Sequence, residues 1–399
     1  MDTFGSSIVT LDFMSKTVIN RQKSQLARQE SRDVEYVGIE QENVYGNKER
    51  IIMQLLVFCS FCGQAMQMSL VGPTLLHVGF ILDCDLLVIS FVFAFQYIGV
   101  LLGCILCGIF YSKFNEEIQF AITNFIMGIA NIFCVWMPHV SGFFALKTIH
   151  AIATGYNDIL SHSQTLKMWD GHKLKPIVYS TLLVIYPLGS FIAPIIAAPF
   201  LDTIDIYVEY TSTTLMSYDL STVQVYNNDL TSHENTDEPN IEKARFSYMI
   251  VGCISVFVCV GFGIKFLKKK VHVTAHIESK TNIDYSTHTK PKKLLIVLIC
   301  FISFLTALNL INIWIAPFVV EYLQWDPKHG SLISACYWLG MFIGRIIGVL
   351  LLFFINAGVL LVVNLVLTFI SVLLTCFATV MYQNIIWICV TFVGFSGRF

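Results

Sequence analysis

Nine stretches of about twenty or more mostly apolar residues recur along this chain, at 52–76, 86–110, 118–138, 143–164, 177–199, 246–267, 294–320, 331–354 and 357–381. Hydrocarbon offers no partner to a backbone amide or carbonyl, so segments of this length and composition cross a bilayer as helices. A tenth apolar stretch begins at Ile385 and reaches Phe399, which is short of a full crossing at about 1.5 Å per residue. That span is expected to be cut there. Composition agrees with the count: 55% of residues are apolar and 13% are charged, with a mean hydropathy of +0.68, whereas soluble domains hold about 25% charged residues. The fold class expected is an all-α integral membrane protein.

Lysine and arginine in the connections give the orientation, because cytoplasmic loops retain them. Seven lie in the first 50 residues, one (Lys113) after the second span, three (Lys167, Lys173, Lys175) after the fourth and eight, from Lys265 to Lys293, after the sixth. The connections on the other side hold only Lys243, Arg245 and Lys328. An inside N-terminus follows. The segment 200–245 carries nine of the 27 acidic residues and is expected outside. No nucleic-acid partner is implied by this charge pattern.

Four parts are expected along the chain: a disordered cytoplasmic tail over 1–50, a six-helix bundle over 51–267 with the outer loop 200–245, a basic linker over 268–293, and an incomplete second bundle over 294–399. The first residues are polar and charged, unlike a cleavable signal peptide. Nearly all twelve cysteines fall inside spans, which argues against a disulfide framework. Cys59-x-x-Cys62 and Cys104-x-x-Cys107 read as packing residues on lipid-embedded helices, and no metal site is expected. Gly99-x-x-x-Gly103 in span two and Gly340-x-x-x-Gly344-x-x-x-Gly348 in span eight let helix backbones approach closely. Such ladders serve either two bundles that rock against each other or ordinary helix packing.

Span four carries the polar chemistry. At 100° per residue, Lys147, His150, Thr154, Asn157, Asp158, Ser161, Gln164 and Thr165 share one sector, opposite Ile149, Ile152 and Tyr156. A carboxylate near mid-bilayer costs roughly 2.5–3.5 kcal/mol on insertion scales, so Asp158 needs water or a partner. Eight aligned polar residues point to a hydrated cavity along that face, the alternative being a dry polar seam. Ser60, Gln64 and Gln67 repeat the pattern in span one, before Gly72-Pro73 ends the helix, and Thr306, Asn309 and Asn312 do so in span seven. Amides both donate and accept, which suits a neutral hydroxylated solute; bonding between helices is the other reading. Arg345 inside span eight must snorkel or pair, and Pro187, Pro194 and Pro199 invite kinks in span five. His-Glu-x-x-His, Gly-x-Ser-x-Gly, Walker and dinucleotide glycine motifs are absent from the sequence, which argues against an enzyme and an ATP-driven pump.

"GPTLLHVG", "ISFVFAFQYIGVLLGCILCG", "GYNDILSH", "LGSFIAPIIAAPFL" and "YWLGMFIGRIIG" resemble the major facilitator superfamily, and within it the sodium-dependent glucose transporter group. The resemblance spans roughly 51–399 outside loops 200–245 and 268–292. It implies two six-helix bundles, here cut in the tenth helix, and uptake of a hexose such as glucose by alternating access; the residues themselves offer Gln64, Gln67, Asn157, Asn309 and Asn312 as the candidate substrate ligands. Asp158 would be the cation-coupling residue, taking Na+ or H+, and no other cofactor is implied. The chain departs from the group in having His162 four residues after that acid, where it can pair with Asp158. It departs from the superfamily in "GIFYSKFNEE", with Ser112 and Glu116 in place of an Asp and an Arg, leaving Lys113 and Arg345 as gating residues. A monomer in the plasma membrane is expected, with a sugar and the lipid bilayer as partners. The alternative function is a transport-inactive solute sensor or a non-functional shortened isoform.

Overall fold

The computed structural model describes residues 47–201, 241–268, 309–351, 354–355, 357–381 and 385–396. The expectations for most of the N-terminal tail, of the 200–245 loop and of the basic linker, and that for Thr306, lie outside them. The described chain is helical throughout. Its first span is two helices, α1 (Asn47–Ser69) and α2 (Val71–Ile81), so the expectation that Gly72-Pro73 ends the helix is corrected. Pro73 has no N–H, which leaves the Ser69 carbonyl four residues earlier without a helical donor. The chain therefore turns at Leu70 and restarts, with Pro73 in a first turn where the missing donor costs little.

The remaining helices follow as α3 (Leu86–Phe110), α4 (Glu116–Cys134), α5 (Val140–Met168), α6 (Lys175–Ala197), α7 (Ala244–Lys268), α8 (Asn309–Glu321), α9 (Pro327–Leu351), α10 (Ala357–Met381) and α11 (Ile386–Ser396). Asn115 starts α4 by accepting a bond from the Glu117 amide at 3.0 Å, and Glu116 and Glu117 in the first turn suit the positive end of the helix dipole. Seven described helices are long and apolar enough to cross a membrane. α5 is the longest, at 29 residues, yet is not among them, because its polar residues lower its hydropathy. Large apolar side chains such as Leu87, Phe257 and Phe369 point outward, as lipid contact requires.

Helix α3 packs on α5 with backbone against backbone. A Cβ on Gly103 would lie 2.0 Å from the Ile152 carbonyl oxygen, and one on Gly155 would lie 2.1 Å from that of Val100. In the second half α9 packs on α11 the same way, with Gly340 facing Thr391 and Gly394 facing Tyr337. Both glycine ladders therefore work inside a half. The halves meet mainly along α6 and α9, and α2 touches the C-terminal half where Gly72 lies against the Ile313 carbonyl.

Candidate functional site

Span four is α5, enclosed by α1, α3 and α4. Its polar face is mostly a dry seam, which corrects the expectation of water along its full length: Lys147, His150, Asn157, Ser161 and Gln164 have no exposed surface. Around Asn157, His150 and Lys147 the seam is built from hydrogen bonds between helices, whereas Ser161 Oγ and both Gln164 amide atoms have no hydrogen-bond partner in the protein. Asn157 Oδ1 accepts from Ser60 Oγ at 3.1 Å and from Thr123 Oγ1 at 3.4 Å, while Asn124 Nδ2 donates to Ser60 Oγ at 2.8 Å and to the Phe120 carbonyl at 2.8 Å. Gln67 bonds Ser255 Oγ and His150. Lys147 Nζ donates to Asn131 Oδ1 at 3.0 Å and lies 4.8 Å from the centre of the Tyr248 ring. An amide oxygen and an aromatic face thus hold the buried Lys147 amino group.

One end of the seam opens into a cavity of about 340 Å³, at the small end of the range that holds small solutes. Both halves line it: Gln64, Asp158 and His162 from the first, Asn309, Asn312 and Arg345 from the second. Six of the nine site residues read from the sequence are thus brought together. Gln67 and Asn157 are not among the lining residues; both are fully buried behind it. Asn157 acts on the cavity through a neighbour. Its Nδ2 donates to Gln64 Oε1 at 2.7 Å, which turns the Gln64 amide so that Nε2 donates to Asp158 Oδ1 at 3.3 Å. The Phe120 carbonyl can only accept, so it fixes the sense of the Asn124 amide at the start of this chain of bonds.

Residues not singled out from the sequence complete the lining. Phe61, Tyr186 and Trp338 form an aromatic wall, with ring centres 5.4 Å apart for Phe61 and Tyr186 and 6.1 Å apart for Tyr186 and Trp338. Phe61 also meets the His162 ring edge-on at 5.4 Å. Gln96 and Tyr97 on α3 close another side; a glutamine inside the apolar run "FAFQYIG" was a readable signal, whereas Trp338 reads as an ordinary apolar residue. Among the lining residues, Trp338 Nε1, Asn312 Oδ1 and His162 Nδ1 are buried and have no hydrogen-bond partner in the protein. A larger crevice of about 480 Å³ between α3, α4 and α5 is walled by Phe110, Phe114, Ile122 and Ile149. It carries no charged group, so it suits lipid rather than a hydroxylated solute.

Lys113 lies apart, in the exposed turn between α3 and α4, with its Nζ 5.2 Å from the Phe110 ring centre. Ion pairing at this end of the bundle runs through other groups. Glu116 meets Lys167 at 2.5 Å, and the buried Glu117 lies 3.7 Å from Lys265. Glu116 thus ties the start of α4 to the end of α5. Arg345 is not at that surface: it borders the cavity and donates from Nη1 to the Leu183 carbonyl of α6, in the other half.

Helices that repeat their packing in two halves, around a central polar cavity lined by both, define a two-bundle helical membrane protein. The sequence places it within a family: residues 56–399 match the Major Facilitator Superfamily, and the chain belongs to it. A 210-residue stretch is 23% identical to sodium-dependent glucose transporter 1 of Xenopus laevis, covering 51% of this chain and 38% of that protein. The chain therefore matches well under half the length of this curated relative. Among solved structures, the nucleoside transporter NupG aligns with a TM-score of 0.58 at 13% identity, over 88% of this chain and 80% of its own. The xylose transporter XylE from E. coli, partially occluded and inward open, aligns at 0.57 and 11% identity over 87% and 84%. A D-xylose-proton symporter aligns at 0.59 and 10% identity over 87% and 80%. At these identities the structural likeness concerns the fold.

Proposed function

We propose that this transporter carries a hexose, glucose or a close analogue, by alternating access, coupled to a cation taken up at Asp158. The observation that carries the reading is one cavity lined by a carboxylate, an imidazole, amides and aromatic rings from both halves. A hexose presents donors and acceptors around its rim and apolar faces above and below. Gln64, Asn309 and Asn312 would meet its hydroxyls, the Trp338 indole and Tyr186 its faces, and Asn157 would hold Gln64 in register. Gln67 would support the wall from behind. Asp158 and His162, one helical turn apart, would change charge during the cycle. The names of the relatives support a sugar and a cation, one through sodium and glucose, another through protons and xylose.

The coupling ion is the finer part of this reading. Gln64 offers Asp158 an N–H rather than an oxygen, so this amide supplies no oxygen to a sodium shell there, and we propose the proton, shared between Asp158 and His162, as the coupling ion. In keeping with the distribution of lysine and arginine, we place the N-terminus inside and the working protein in the plasma membrane as a monomer.

Uptake of labelled 2-deoxyglucose by cells expressing the full-length protein tests this, with a sodium replacement arm, an external pH arm, and Asp158→Asn. Accumulation stimulated by an acidic exterior and abolished by Asp158→Asn is expected. Stimulation by sodium alone would replace the proton with sodium, and absence of accumulation in every arm would overturn the carrier reading in favour of a transport-inactive sensor.

A further inference from the structure

Lipid contact leaves apolar side chains exposed on every outer helix, yet the crevice between α3, α4 and α5 differs from a plain lipid face in having a buried floor. Its rim is Phe114 in the α3–α4 turn, Ile122 on α4 and Ile149 on α5, all about half exposed. Gln119, Thr123 and Ala153 beneath them are buried. Ala153 makes the notch: it is the smallest side chain of the lining and stands about one turn of α5 from both Ile149 and Tyr156.

The polar groups of this floor have no hydrogen to spare. Gln119 Nε2 donates to the Tyr111 and Phe114 carbonyls at 3.1 and 2.7 Å, the Tyr156 hydroxyl donates to Gln119 Oε1 at 2.5 Å, and Thr123 Oγ1 donates to the Gln119 carbonyl at 2.9 Å. A hydroxylated solute would lose its water here without finding a donor, a cost that hydrocarbon does not meet. The crevice also has the reach of a fatty chain. Ile118 to Ile126 covers about 12 Å of helix axis, and one leaflet of a bilayer is roughly 15 Å of hydrocarbon deep.

A charge stands at the mouth. Lys113 lies between Phe110 and Phe114 in the turn, exposed, with its Nζ 5.2 Å from the Phe110 ring centre. The neighbouring carboxylates are occupied, Glu116 by Lys167 and Glu117 by Lys265, and Lys113 makes no ion pair among the described residues. A lysine at the edge of the hydrocarbon attracts anionic headgroups, and the ring beside it holds its amine at that level.

We propose that this crevice binds one anionic phospholipid of the cytoplasmic leaflet, phosphatidylserine in type, with an acyl chain over Ala153 and the headgroup on Lys113. The inference rests on the inside placement of the α3–α4 turn and is independent of the sugar reading.

Phosphatidylserine with a diazirine near the end of one acyl chain tests this against its phosphatidylcholine twin, on the full chain in nanodiscs, with adducts mapped by mass spectrometry. Both leaflets of a nanodisc have one composition, so the outcome does not depend on which way the chain is inserted. Adducts on 118–126 and 149–156 are expected about fivefold more often from phosphatidylserine, the scale of one lysine near an anionic surface. Lys113→Gln should bring it down to the phosphatidylcholine level and Lys113→Arg should keep the preference. Salt at about 1 M, where the Debye length is about 3 Å, should weaken the preference as well. Ala153→Leu fills the notch and should remove the adducts of both lipids at these residues. Lys113 is exposed, so its variants stay informative if Ala153→Leu does not fold. Equal labelling by the two lipids, which would mean ordinary boundary lipid only, overturns the site. So does a preference that survives Lys113→Gln, or a set of adducts confined to other helices.

Discussion

The two halves share a backbone plan and differ in chemistry. In each, a pair of helices touches through glycines, α3 with α5 in the first and α9 with α11 in the second. Around the first pair lies a network that joins Ser60, Asn124, Asn157, Gln64 and Asp158 across three helices. Around the second lies an apolar and aromatic cluster of Ile333, Tyr337, Met341 and Val390, flanked by the stacked Trp325–Trp387 pair. Its hydroxyls mostly bond their own helix, as Thr391 does to the Trp387 carbonyl at 2.7 Å. Glycine spacing sets how close two helices run. What fills the remaining space decides which half holds the ionisable carboxylate and which supplies the fixed cation.

Substitutions at the glycines should break the shared plan with the largest effect. Gly103→Ala places its methyl carbon 2.0 Å from the Ile152 carbonyl oxygen and Gly394→Ala 1.9 Å from that of Tyr337, whereas Gly108 faces open space. Thermal melting in detergent is expected to show a loss of about 3 kcal/mol for either of the first two and little for Gly108→Ala. An equal loss at Gly108, where alanine is the better helix former, would mean that close approach does not explain the ladder.

The chemical difference should appear next. Asn157→Leu leaves the buried Gln64 Oε1 without the donor Asn157 gives it, while Ser60 and Thr123 keep Asn124 and Gln119 as acceptors, at a cost of about 1–3 kcal/mol. Ser371→Ala in the second half loses its side-chain contact with Ser396, and bonds of this kind between membrane helices average about 0.6 kcal/mol. Comparable losses in chemical denaturation would erase the asymmetry. Removing the Glu116–Lys167 pair with Lys167→Ala should cost still less, about 0.5 kcal/mol, because Lys167 is more than half exposed.

The smallest effect concerns the turn between α2 and α3. Burial, and then the charges of Asp85 and Asp83, hold the Cys84 thiol above its ordinary range. Thiolate is the reactive form, so an impermeant maleimide on intact cells should label Cys84 slowly near neutral pH and faster as the pH rises. Asp85→Asn should accelerate the labelling, with Cys84→Ala as the control. Labelling that requires permeabilised cells would reverse the inside N-terminus.

Much of this plan was legible in the sequence because hydropathy and glycine spacing are local signals. The apolar runs located the spans, and "GYNDILSH" placed Asp158 and His162 one turn apart. The polar face of span four was legible as a face. Its dryness was not, because a lone helical projection shows which residues align but not whether α1 and α4 carry amides and hydroxyls that complete them. Trp338 was missed for a related reason: an indole inside a span has the same hydropathy whether it meets lipid or a cavity. Arg345 was read as a gating residue, but its partner is a backbone carbonyl exposed by a proline in another helix, and residue identity at position 183 carries no trace of it.

Backbone contact without an intervening layer of side chains has a mechanical consequence. The α3–α5 and α9–α11 crossings offer no interlocking surface to slide or re-pack, since any shear drives a carbonyl into the opposite chain. Each pair must swing as a single lever. Any give then falls to the α6–α9 boundary, which Arg345 and Ser331 bridge through side-chain bonds to backbone carbonyls.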